Sequence, residues 1–192
     1  MKNIRLTVWI GMMCGCLAAG MLQAGTRPDN ACPAEEDGSR LWLPVMRPAE
    51  GAEVEVIYKG KVSPTIAIAI AELKNAWKGE PVLLEKKRTG QGDGFAITSS
   101  EHQVRILSST EAGLLYGVYC LLRMQAAGQV TVPLSVTEQP VYDLRILNHW
   151  DNPDGTVERG YAGRSLWNWE ELPGTLSPRY EAYARANASV GI

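Results

Sequence analysis

Residues 52–60, AEVEVIYKG, alternate apolar and polar positions with a period of two, which predicts a strand with one buried face. The pattern then changes. SPTIAIAIAELKNAWKG, residues 63–79, is long and alanine-rich, and Ile66, Ile70, Leu73 and Trp77 fall at helical spacing. Ser63 is placed to cap this helix, Pro64 suits its first position, and Gly79 offers a stop. PVLLEK, GFAITSS and QVRILS follow as three short strand candidates, separated by TGQGDG and EH. SSTEAGLLYGVYCLLRMQAAG, residues 108–128, is a second helix. Ser108 and Glu111 have capping-box spacing. Leu114, Leu115, Val118, Leu121 and Leu122 form its buried face, and Gly128 its stop. Up to Pro140 the order is strand, helix, two or three strands, helix, which predicts an α/β layer with both helices packed on one sheet. LWLPVMRP, residues 41–48, reads as a short edge strand because of its prolines, and VTVPLSVTEQP as a lead-out segment.

A new pattern begins after Pro140. DLRILNHW predicts a strand, SPRYEAYARANAS a helix capped by Ser177 with Pro178 first, and VGI the start of another buried strand. Strand, long loop, helix and strand make the first unit of a parallel βα array, whereas a closed barrel needs eight such units. The expectation is therefore a chain that continues beyond Ile192. The other reading is a terminal strand docked on the edge of the first domain.

Composition narrows the class. Apolar residues at 45%, charged residues at 21% and a net charge of −2 describe a globular chain without a basic surface, so nucleic acid is not expected as a partner. Lys2 and Arg5 precede the uncharged run LTVWIGMMCGCLAAGML. This has the form of a signal peptide over residues 1–24, with cleavage after Ala24, and is shorter than a membrane span. The expectation is a secreted or periplasmic protein without a transmembrane span, lipidation at Cys16 being the lesser option. Residues 25–40, polar with two prolines, read as a flexible leader. Domains are expected at 41–140 and 141–192. Beyond the signal only Cys32 and Cys120 remain; an oxidising compartment permits their pairing, while the apolar surroundings of Cys120 favour a buried thiol. With His102 and His149 the only histidines, no metal site and no cofactor are expected.

The segment between the predicted strand end and helix, residues 149–169, is far longer than an ordinary βα loop of roughly 2–6 residues. Loops at the carboxyl end of barrel strands carry the sites of that fold. Trp150, Trp167 and Trp169 offer flat apolar faces for a sugar ring. Asp151, Asn152 and Glu158 suit its hydroxyls, and Arg159 and Arg164 an anionic substituent. The same residues have structural uses: Arg159 could pair with Asp151 or Asp154, Trp167 and Trp169 could pack the loop down, and Gly160 and Gly163 could serve only turn geometry.

LRILNHWDNPDGTVERGYAGRSLWNW, residues 144–169, closely resembles the start of the catalytic domain of family 67 glycoside hydrolases, the α-glucuronidases. EAGLLYGVYCLLR resembles the second helix of their N-terminal α/β domain, a type shared with family 20 hexosaminidases, and LWLPVMRP stands where that family usually begins. The resemblance implies a hexosaminidase-like α/β domain followed by the first βα unit of a truncated (β/α)8 barrel. It also implies an inverting glycosidase of xylan breakdown that releases (4-O-methyl)glucuronic acid from glucuronoxylan-derived oligosaccharides. The family's catalytic carboxylates come from later barrel strands, so no catalytic residue is expected in this sequence. Trp150 would lie beside the glucuronosyl ring and Glu158 would hydrogen-bond it, with Asp151, Asn152 and Arg159 organising the loop. A homodimer of the full-length protein is among the expectations. The alternatives are a noncatalytic carbohydrate-binding or scaffold domain and a hexosaminidase-like glycosidase.

Overall fold

The computed structural model describes Leu43, residues 54–88 and residues 92–192. The expected signal peptide, Cys32 and all of LWLPVMRP except Leu43 lie outside these residues. The elements in chain order are β1 (Val56–Tyr58), α1 (Pro64–Ala76), β2 (Val82–Lys86), β3 (Phe95–Ser99), β4 (Val104–Ser108), α2 (Glu111–Ala126), β5 (Ser135–Glu138) and α3 (Pro178–Ser189).

The strands form one mixed sheet in the order β1-β2-β4-β3-β5. β1, β2 and β4 are parallel, and β3 is antiparallel to both β4 and β5. Register brings Tyr58, Leu84, Ile106, Ile97 and Val136 into one rung across the whole sheet. Cross-strand partners share a face, and α2 lies over this one, where Gly117 sits against Ile106 and Phe95. The core is the seam between sheet and helices, with Ile66, Leu73, Leu84, Ile97, Ile106, Leu114, Val118 and Leu121 buried.

The helices begin where local chemistry dictates. Ser63 caps α1 by accepting from the Ile66 N–H, with Pro64 following. α1 stops before Gly79: Trp77 turns into extended backbone as its buried indole donates to the Glu80 carbonyl at 2.8 Å. The cap of α2 is Thr110 rather than Ser108; its hydroxyl accepts from the Gly113 N–H at 3.0 Å and donates to Asp93 at 2.8 Å. Ser108 is instead the last residue of β4, fully buried, and donates to the Gly94 carbonyl at 2.7 Å. Sheet pairing claims it before the helix can. Glu111 consequently faces Lys86 at 3.1 Å and accepts from Ser63, and the Ser63 hydroxyl and Lys86 hold its carboxyl below the usual range. Thr110→Ala should lower stability by about 1 kcal/mol, read as a lowered melting temperature; an unchanged value would place the cap elsewhere.

Cys120 is buried with a free thiol, which burial pushes up in pKa. The lead-out segment contains a fifth strand, β5, paired with β3. Beyond it, two expected strands are absent. Residues 144–150 have no ladder partner among the described residues, and Leu144, Ile146 and Leu147 are exposed. Residues 190–191 form a turn rather than a strand, with Val190 exposed. A strand is completed by its neighbour's N–H and C=O groups, and no described segment supplies them here.

Charged side chains fasten this region to the sheet domain. Arg145 donates to the Gly191 carbonyl at 2.5 Å, the Tyr142 carbonyl at 2.8 Å and Asp93 at 3.2 Å, with its guanidinium 5.6 Å from the Tyr116 ring centre. α3 lies on α2, where Arg123 donates to the Ser189 carbonyl. Arg185 forms a two-pronged bond to Glu72 of α1 at 2.5 and 2.8 Å, and the Tyr119 hydroxyl donates to the same carboxylate at 3.2 Å.

Candidate functional site

The loop before α3 is built from two consecutive tight turns. Gly155 N–H donates to the Asn152 carbonyl at 3.0 Å, and Gly160 N–H to the Val157 carbonyl at 3.1 Å. Pro153 fits the first turn, and Gly155 supplies the positive φ of 78° that follows it. Antiparallel bridges Asp151–Val157 and Thr156–Arg164 stack the two turns into a short ribbon. Asp154 accepts from the Thr156 hydroxyl at 2.7 Å and its N–H at 2.9 Å, and these bonds hold the Asp154 carboxyl below its usual range.

Glu158 occupies the most constrained position. Its φ of 56° makes it the one non-glycine residue with positive φ among the described residues. Left-handed backbone costs an L-residue roughly 1–2 kcal/mol, and such conformations persist only where surroundings over-determine them. Here they do: the Glu158 N–H donates to the Trp150 carbonyl at 2.7 Å, and its carbonyl accepts from the Asn152 side chain at 2.7 Å. Asn152 also donates to Thr156 at 2.9 Å. Asn152 is thus an organiser of the turn that presents Glu158 beside Trp150. Trp150 itself is 55% exposed.

The remaining predicted residues separate into two groups. Trp167 packs inward, 5.0 Å from the Tyr180 ring centre and 5.6 Å from the His149 ring. Trp169 and Tyr161 stay exposed. Arg159 is exposed and makes no ion pair with another described residue, so the alternative of a pairing with Asp151 or Asp154 is not formed. Arg164 reaches the Asp154 carbonyl at 3.5 Å. Asp151 turns inward, and one of its carboxylate oxygens is buried without a hydrogen-bond partner. Tyr180 and Tyr183 of α3 were not foreseen as part of the loop's support; Tyr180 accepts from the Asn168 N–H at 2.7 Å, and Tyr183 stands 2.5 Å from His149. Their spacing of three on a helix was the available signal.

Among the described residues no three His, Cys, Asp or Glu side chains converge as metal ligands would, and no helix is long and apolar enough to cross a membrane. A hollow of about 220 Å³ lies away from the loop, lined by Asp93, Tyr116, Arg123 and Arg145 among others. It includes none of the predicted sugar-contact residues. The loop surface therefore offers an open wall: the exposed indoles of Trp150 and Trp169, the Glu158 carboxylate on a fixed turn, and the exposed Arg159 guanidinium. Such groups can stack on a pyranose ring and accept hydrogen bonds from its hydroxyls.

The loop lies within a stretch that matches known proteins. Residues 124–192 match the model of the glycosyl hydrolase family 67 middle domain, which spans the whole loop and α3. This part of the chain is similar to family 67 glycoside hydrolases. A stretch covering 52% of the chain is 40% identical over 101 residues to a probable alpha-glucuronidase A of Aspergillus clavatus, and 42% identical over 101 residues to that of Neosartorya fischeri. Alpha-glucuronidase A of Aspergillus tubingensis is 38% identical over 100 residues. In each case the aligned stretch spans 12% of the relative's length. The matched segment contains every predicted sugar-contact residue and both supporting tyrosines.

Proposed function

We propose that this chain forms part of the sugar-binding wall of an α-glucuronidase that releases glucuronic acid, with or without a 4-O-methyl group, from xylo-oligosaccharides. The observation that carries the reading is Glu158, held in left-handed backbone by Trp150 and Asn152 inside the segment that matches the family. Strain of this kind clusters at functional sites. In this reading Trp150 lies along the glucuronosyl ring, Glu158 accepts from its hydroxyls, and Arg159 faces its carboxylate.

The reaction proposed is hydrolysis with inversion. A protonated carboxylic acid would protonate the leaving oxygen while a carboxylate opposite activates water, the pair standing roughly 6.5–9.5 Å apart. Both groups would come from later strands of a (β/α)8 barrel in which residues 144–150 find their ladder partners. The α/β layer before it would be the hexosaminidase-like domain, and the protein would be exported through residues 1–24.

The chain by itself is expected to release no glucuronic acid from aldouronic acids. In a longer enzyme carrying this segment, Glu158→Gly should lower kcat/KM roughly tenfold or more, one charge-assisted hydrogen bond being lost. The same substitution relieves the positive φ, so the melting temperature should hold or rise. Unchanged kinetics would remove Glu158 from the sugar site, and turnover by the chain alone would sink the assignment of catalysis to later strands.

A further inference from the structure

The loop contains one buried polar atom that its own turns leave unsatisfied. Oδ2 of Asp151 is shut off from solvent and lacks a hydrogen-bond partner, and the Asp151 side chain is only 7% exposed. A buried carboxylate oxygen without a donor is costly. Nδ1 of His149 stands 3.8 Å from this oxygen. The other ring nitrogen, Nε2, stands 2.5 Å from the Tyr183 hydroxyl. The imidazole is held edge-on between Tyr183 and Trp167, with ring centres 5.3 and 5.6 Å away.

We propose that Tyr183, His149 and Asp151 form a positioning relay: the Tyr183 hydroxyl donates to Nε2, and Nδ1–H donates to the buried oxygen of Asp151. A closure of about 1 Å brings Nδ1 and Oδ2 within the normal 2.7–3.2 Å range. The relay fixes the tautomer, since a neutral imidazole carries one donor and one acceptor. It also fixes the backbone from His149 to Asp151. That stretch supplies the Trp150 carbonyl that holds Glu158, and the Asp151 bridge to Val157. α3 thereby sets the geometry of the sugar-contact residues without touching the sugar. This role rests on the sugar-wall reading; the hydrogen-bond arrangement itself does not.

The test is nitrogen NMR of the histidine-labelled chain with its imidazoles neutral. His102 and His149 are the only histidines, so a His102→Gln variant assigns the signals. The Nδ1–H tautomer of His149 is expected to dominate. Tyr183→Phe keeps the ring packing and removes the hydroxyl; Asp151→Ala removes the acceptor. Each should shift His149 toward the Nε2–H form. Each should also speed amide exchange at Glu158 by roughly five- to tenfold, the scale of one lost hydrogen bond, while Leu121 in the core stays protected. A wild-type His149 in the Nε2–H form, or a tautomer indifferent to both substitutions, overturns the relay. An unchanged Glu158 exchange rate overturns its positioning role. Binding of glucuronic acid, followed in the same samples by indole emission, is a separate arm: its absence counts against the sugar-wall reading and leaves the tautomer result standing.

Discussion

Glu72→Ala should destabilise the chain by about 2–4 kcal/mol, the range for breaking a largely buried ion pair while leaving one partner behind. The Glu72 and Arg185 side chains are only 14% and 17% exposed, so water does little to replace the lost contact. Arg185 would lose its two-pronged contact with Glu72, and the Tyr119 hydroxyl would lose its acceptor. Hydrogen bonding to Glu72 raises the pKa of Arg185 above its ordinary value. For a domain of this size the melting temperature should fall by roughly 5–15 °C. The consequence for the candidate site is specific. α3 carries Tyr180 and Tyr183, which support Trp167 and His149, so exchange in the 149–169 loop should quicken together with exchange in α3. The double variant Glu72→Leu with Arg185→Met should recover most of the loss, because apolar replacement of a buried pair is often neutral. A melting temperature unmoved by Glu72→Ala would show that α3 is held by other contacts.

Gly117→Val should cost about 2–3 kcal/mol, although valine forms helix better than glycine does. A Cβ at Gly117 would stand 2.5 Å from Cγ2 of Ile106 and 3.3 Å from the Phe95 ring. Both neighbours belong to the sheet, and Ile106 is fully buried, so neither can move aside cheaply. Ile106→Ala alone should also destabilise, by about 2–5 kcal/mol. Combined, the two should cost less than their sum, because the new side chain fills the space that the old one leaves. Additive losses, measured by urea denaturation, would mean that α2 and β4 do not meet at this point. Gly113 makes the same close approach one helical turn earlier, where a Cβ would meet the Ser108 hydroxyl and the Asp93 carbonyl. The two glycines let α2 sit low on the sheet.

That close packing was not legible in the sequence. Gly113 and Gly117 read simply as members of a helix whose leucines face inward. The leucine face itself was legible, since burial at Leu114, Leu115, Val118, Leu121 and Leu122 follows from spacing alone. The cap of the same helix was misplaced because Ser108 and Thr110 are both good capping residues, and only the β3–β4 pairing decides which remains free. The fifth strand was missed for a related reason. SVTE has weak strand character of its own and is ordered by Phe95–Thr98 across from it.

The loop divides in the same way. Its unusual length and its crowding of tryptophans, acids and arginines marked it in the sequence as the place to look. The sequence also carried the glycines and Pro153 that make its turns. It could not indicate that Glu158 would take a left-handed backbone, that Asn152 would spend its side chain holding it, or that Asp151 would turn inward toward His149.

What the sequence determined by itself was local: where helices start by Ser63 and Ser177 caps, which helix faces are apolar, and which segment gathers sugar-compatible chemistry. These depend on residues within a few positions of one another. What only the tertiary structure decided depends on neighbours remote in the chain. Glu72 meets Arg185, Gly117 meets Ile106, and Tyr183 meets His149 because the sheet and three helices bring them together. Residues 144–150 make the same point from the other side: a strand-like pattern remains an exposed extended segment where no neighbouring strand completes its hydrogen bonds.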